Sequence, residues 1–158
     1  MKKTVYNSTH IEGLLYEHKL EKKISGEASK NPGTEFITGT VSIATDDACM
    51  NVVPVHFTYV TATTKNGGPN NTFNALNRIL EGAASVTTKS KEEAVKVRID
   101  SAIGLNEFYA DRGGKEELVS AKRNEGGFVH IINEPLNEDE KKRSYFEADM
   151  LITGTRDI

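Results

Sequence analysis

Val52-Val53-Pro54-Val55-His56-Phe57-Thr58-Tyr59-Val60, then Lys65-Asn66-Gly67-Gly68-Pro69-Asn70-Asn71, then Thr72-Phe73-Asn74-Ala75-Leu76-Asn77-Arg78-Ile79-Leu80 is the passage on which the fold turns. Its first part is rich in branched and aromatic residues that alternate, with Val53, Val55, Phe57 and Tyr59 on one side and Val52, His56, Thr58 and Val60 on the other, the signature of a strand. Pro54 cannot donate to a ladder, so a sheet edge or a bulge is expected there. The glycine- and asparagine-rich middle is a loop. In the last part Phe73, Leu76, Ile79 and Leu80 recur at helical spacing, with Thr72 as the expected N-cap and Gly82 as the stop.

Alternation also governs the flanks. Residues 11–24 read as a strand with Leu14, Tyr16 and Leu20 on one face and Glu17, Lys19 and Glu21 on the other. A turn at Gly26 to Gly33 contains Asn31-Pro32-Gly33, whose fixed proline φ suits a reversal. Thr34 to Thr45 places Ile37, Gly39, Val41 and Ile43 on one side, and Asp46-Asp47 closes that strand. Beyond the helix, Val95-Lys96-Val97-Arg98-Ile99 sets three branched residues against two cations. Leu105 to Ala110 and Leu118 to Arg123 form a hairpin across Asp111-Arg112-Gly113-Gly114. Asn124-Glu125-Gly126-Gly127 is read as a turn into Phe128 to Ile132. A charged connector at 133–144 leads to an extra strand at 145–155, with Phe146, Ala148, Met150 and Ile152 on one face.

The chain has 158 residues, of which 37% are hydrophobic, and a net charge of −3. That is one compact core's worth of apolar side chains, and the whole of 1–158 is read as a single domain with its core at about 9–132. A membrane span needs roughly 18 uncharged apolar residues, and no stretch offers them. One cysteine, Cys49, cannot make an internal disulfide, and the Met1-Lys2-Lys3-Thr4 start leads into polar Asn7, Ser8, Thr9 and His10 instead of an apolar run, so a cytoplasmic protein is expected. His10, His18, His56 and His130 are far apart and lack any metal-ligand spacing. Gly67-Gly68 and Gly113-Gly114 lack the lysine and hydroxyl spacing of a phosphate loop. No enzyme, cofactor or metal is therefore expected.

Three strands, one helix, a strand and a hairpin succeed one another in the order of a five-stranded Greek-key OB barrel, here with an extra C-terminal strand. Ile11-x-Gly13-x-Leu15, Val41-Ser42-Ile43-Ala44-Thr45, Val52-Val53 with Phe57, and Val95-Lys96-Val97 resemble bacterial and phage single-stranded DNA-binding proteins over about residues 9–132. The sequence departs from them in having no tryptophan and in opening its third strand with Met50-Asn51. The resemblance implies sequence-tolerant binding of single-stranded DNA, or of RNA, in replication or recombination. It also implies a homo-oligomer in a bacterium or a phage-infected cell.

The side chains expected to carry this binding are Lys19, Lys22, His56, Tyr59, Lys96, Arg98, Phe108, Tyr109, Lys122 and Arg123. Flat rings suit the task because every base has a π-face, and cations because the backbone carries phosphates. Each has a plainer reading. Tyr59 and Phe57 share the Val53–Val55 face, which favours the core for both. Phe108 and Tyr109 are neighbours on a strand and point oppositely, so one is expected to face the groove. Lys96 and Arg98 share a face and are expected to share a phosphate track, although exposed cations also serve solubility alone. The competing class is a structural or assembly protein of a virion or complex, acting through strand-edge pairing.

Overall fold

The computed structural model describes residues 7–157 and shows a mainly β chain with one α-helix. Its strands are β1 (Asn7–Ile24), β2 (Glu35–Ala44), β3 (Val52–Thr61), β4 (Lys96–Asp111), β5 (Glu116–Ile132) and β6 (Ser144–Ala148), and α1 (Asn71–Leu80) lies between β3 and β4. The sheet order is β2-β3-β5-β4-β1-β6, and β1 also pairs with β2. Five strands thus close into a ring, β1-β2-β3-β5-β4 and back to β1. The seam is a two-residue parallel contact, Val55 with Asn124 and His56 with Glu125. Pro54 sits one residue before that contact and inside the β2–β3 ladder, opposite Ser42, and not at the sheet edge or bulge expected for it.

The ring's interior holds Ile11, Leu15, Leu20, Ile37, Val41, Ile43, Val55, Phe57, Val97, Ile99 and Val129, and α1 covers it with Phe73, Leu76 and Ile79. The helix packs mainly on β5 and β1. Its N-cap is Asn70, whose side chain accepts from the Thr72 backbone N–H at 3.1 Å. Thr72, the expected cap, is buried inside the first turn. Its hydroxyl donates to the Gly127 carbonyl and accepts from the Val129 N–H, both at 3.4 Å, tying helix to sheet.

Bulges correct the faces read from alternation. In β1 the register against β2 shifts between Leu15 and Glu17, so the buried series runs Ile11, Gly13, Leu15 and then Leu20, with Leu14 and Tyr16 half-exposed. One extra residue reverses the parity of everything after it. In β3 the shift opposite Ile37 to Gly39 separates Phe57, in the core, from Tyr59, which is 44% exposed. Asn124 to Gly127 is not a turn. It is a bulge inside one continuous β5, with Gly126 and Gly127 at φ 63° and 95°. The separate strands expected on either side of it, Leu118 to Arg123 and Phe128 to Ile132, are two parts of β5, which pairs with β4 in one long hairpin. β6 ends at Ala148, opposite Asn7, where described β1 begins, and residues 149–157 have no regular structure.

The segment before β6 is held by Arg143, only 5% exposed, which donates to the carbonyls of Asn137 (2.6 Å) and Thr45 (3.5 Å) and to the Asp47 carboxylate (2.7 Å). The Arg143 guanidinium holds the Asp47 carboxyl below its ordinary range. A carboxyl so lowered stabilises the fold above the unfolded carboxylate pKa and loses that contribution as pH falls through its own lower value. Protection of β6 amides from exchange should therefore drop on acidification below about pH 4, and Asp47→Asn should remove that pH dependence. Arg143→Ala removes the side chain that ties Asn137, Asp47 and the carbonyl of buried Thr45 together and should lower the opening free energy of β6 by about 1–3 kcal/mol by the same measurement.

At Gly127 an added Cβ would fall 1.9 Å from the Asp100 carbonyl oxygen, whereas at Gly26 it would meet nothing within 4 Å. Gly127→Ala should cost about 3 kcal/mol or more in urea unfolding, and Gly26→Ala should stay within about 0.5 kcal/mol.

Candidate nucleic-acid interface

The outer face of β1, β2 and β3 is built from directly opposed residues, which share a side of the sheet. One cross-strand row is Lys19, Thr40, His56, and another is Lys23, Phe36, Thr61. Between them the β3 bulge turns the Tyr59 ring outward onto Phe36, with centroids 4.6 Å apart and planes at 38°. The bulge thus moves an aromatic ring from the expected core to an open surface.

Three shallow depressions run beside β3 along this face. One is lined by Asn31, Thr34, Tyr59, Thr61 and Lys65, the next by Thr58, Tyr59, Glu125 and Gly126. The third, about 370 Å³, is lined by Thr40, Pro54, His56, Lys122, Arg123 and Asn124. Tyr59 is common to the first two. The Thr40 hydroxyl and His56 Nδ1 lie 3.3 Å apart. Burial, and then the charge of Arg123, push the His56 pKa down. At neutral pH His56 is therefore a neutral ring and hydrogen-bonding group. Arg123 is ion-paired with Glu125, and Lys23 with Glu21 at 2.9 Å. Lys19 and Lys65 are exposed. Rings, amides, hydroxyls and cations around these three depressions can stack on flat groups and contact anionic oxygens.

Five expected residues, Lys19, His56, Tyr59, Lys122 and Arg123, come together here. The others do not. Lys22 opposes Ile37 and so lies on the other side of β1, with its ammonium 5.9 Å from the Phe73 ring and 3.7 Å from Glu35. Lys96 and Arg98 share a face, as alternation requires, but their rows are Leu14-Lys96-Ile132 and Glu12-Arg98-His130. Lys96 donates to the Asn133 carbonyl at 3.0 Å. Leu105, the residue opposite Lys122, lies about 30 Å along β4 from Lys96. Lys96 and Arg98 thus keep the common face expected of them but stand apart from Lys122 and Arg123. Phe108 and Tyr109 are both exposed, on opposite sides of the distal hairpin, and not one of them alone.

Phe36, Thr40, Lys65 and Asn124 join the site without standing out in the sequence. Phe36 carries a signal of its own: it precedes core-facing Ile37 and so belongs to the side of Thr38 and Thr40, where a large ring is out of place unless it meets something. Among the described residues no helix is long and apolar enough to cross a membrane, and no group of three or more His, Cys, Asp or Glu could hold a metal ion. No curated protein and no solved structure matches the chain. A family model does, that of YorF, over residues 6–158, nearly the whole sequence, and the chain belongs to the YorF family.

Proposed function

We propose that the protein binds single-stranded nucleic acid, single-stranded DNA first, along the trough over β2 and β3, as a non-enzymatic holder of unpaired strands in replication or recombination. The observation that carries this reading is the outward Phe36–Tyr59 ring pair in line with Thr40, His56 and the Lys19 and Arg123 cations. The fold supports it too. Order β1-β2-β3-β5-β4, closed by β1–β2, parallel only between β3 and β5, and with a helix between β3 and β4, fits an OB barrel. In such a barrel the face of the second and third strands is the usual nucleic-acid platform.

Charge accounts for the expected mode. With a net −3, binding cannot come from a global field and must be local, within a Debye length of about 8 Å of the trough. Stacking then supplies affinity that salt does not remove, and the few cations supply a modest salt dependence.

Fluorescence anisotropy with oligo-dT should show binding that exceeds binding to a matched duplex. Tyr59→Ala should weaken it by about 1–3 kcal/mol. Lys19→Ala should instead lower the slope of log K against log salt by about 0.7, the value for one lost phosphate contact on a single strand. Absence of binding by the wild type at micromolar protein and low salt would refute the proposal. Affinity should also rise as pH falls below the ordinary histidine range, because His56 then gains a proton beside the phosphates, and His56→Gln should flatten that rise.

A further inference from the structure

Beyond the Gly126–Gly127 bulge the β4–β5 hairpin leaves the ring. β4 pairs with β1 only from Lys96 to Ser101, and β5 touches β3 only at Asn124 and Glu125. The Ile103–Asn124 row is still tethered, Ile103 to the Asn7 side chain and Asn124 to β3, but from Gly104 to the turn the two strands have only each other as ladder partners among the described residues, their pairs running from Gly104–Arg123 to Asp111–Glu116. A two-stranded ribbon alone is marginal in water. This one also exposes apolar side chains in a way that scattered surface residues do not.

One side of the ribbon consists of four successive rows: Ile103–Asn124, Leu105–Lys122, Glu107–Ser120 and Tyr109–Leu118. Ile103, Leu105, Tyr109 and Leu118 are 42%, 58%, 71% and 56% exposed. Glu107 and Lys122 stand among them, and neither is in an ion pair among the described residues. The pattern is self-complementary under a twofold rotation. With the axis crossing the ribbon midway between the Leu105 and Glu107 rows, the Ile103 row of one copy lies against the Tyr109–Leu118 row of the other. Lys122 of each copy then comes within diagonal reach of Glu107 of the other. A twofold interface requires this property, that each patch matches itself reversed.

We propose that the partner of this side of the arm is a second copy of the chain, and that two arms pack antiparallel, face to face, with their aliphatic and aromatic rows interdigitated and two symmetric Glu107–Lys122 pairs fixing the register. Sheet faces pack at about 10 Å with strands within about 30° of alignment, a spacing these side chains fill. The parallel arrangement would bring Glu107 nearest to Glu107 and Lys122 nearest to Lys122, so the charges select the antiparallel one. Such a dimer goes beyond the nucleic-acid reading and does not depend on it, since it rests on the distal arm, and of its rows only Asn124 and Lys122 at the arm's base border both surfaces.

Sedimentation of the full chain without nucleic acid, over a wide concentration range, tests it. The wild type should dimerise. Leu105→Asp, at an exposed position, should give a monomer with an unchanged circular-dichroism spectrum and a melting temperature equal to that of the wild type diluted below its dimerisation range. Glu107→Lys and Lys122→Glu should each raise the dimer dissociation constant about tenfold or more, because each places like charges opposite twice, and the double swap should restore it to near the wild-type value. A wild type that stays monomeric, single reversals without effect, or a double swap no better than the singles would each overturn the proposal. Dimerisation that appears only with oligo-dT present would also overturn it, because the nucleic acid would then be the bridging element.

Discussion

Close backbone approach at three glycines is the constraint on which the rest of the structure depends. At Gly13, Gly39 and Gly127 a Cβ would lie 1.9–2.0 Å from a neighbouring strand's carbonyl oxygen, that of Ala44, Lys19 and Asp100 respectively. Gly13 and Gly39 work from opposite sides of the β1–β2 pairing, and Gly127 works in the β4–β5 pairing. Gly39 and Gly127 also have positive φ, which any other residue would adopt only under strain. Strands that can touch this closely can coil tightly, and tight coiling lets only five of them enclose a core of Ile, Val, Leu and one Phe. Without it the sheet would remain open and the outer face of β2 and β3 would not be a platform beside a seam.

The same constraint organises the candidate site. Bulges at Tyr16, at Tyr59 and at Gly126–Gly127 add local bend and twist to the strands, and each redirects the side chains beyond it. The first puts Lys19 on the face of Thr40 and His56. The second turns Tyr59 out onto Phe36. The third releases the distal β4–β5 arm from the ring, leaving it with an apolar side that the monomer does not cover. A buried Arg143, anchored on Asp47, Thr45 and Asn137, then clamps the segment that adds β6 to the edge of β1.

Much of this is legible in the sequence, and the illegible part has a definite cause. Ile37, Val41, Ile43, Val55, Phe57, Val97 and Ile99 are all core residues that alternation identifies, and Phe73, Leu76 and Ile79 follow from helical spacing. Alternation loses its meaning at a bulge, because one inserted residue inverts every later assignment. It misplaces Leu14 and Tyr16 for that reason, and draws Tyr59 towards the core. The glycine pair at 126–127 signals a turn and a bulge equally well by composition. Only the pairing of Asp100 with Phe128 and of Ala102 with Glu125 distinguishes the two. The separation of Lys96 and Arg98 from Lys122 and Arg123 is a fact about long antiparallel register, which no local pattern contains. Asn70 displaces Thr72 as cap because the Thr72 hydroxyl is engaged with β5, a tertiary contact.

The central claim, that the outer face of β2 and β3 is where an unpaired strand lies, is tested most directly by tracking backbone amide chemical shifts during titration with oligo-dT. The account predicts the largest shifts at Lys19, Phe36, Thr40, His56, Tyr59 and Arg123, with Arg98, Phe128 and His130 unmoved. Shifts confined to the Arg98 face, or none at all at saturating oligonucleotide, would contradict it.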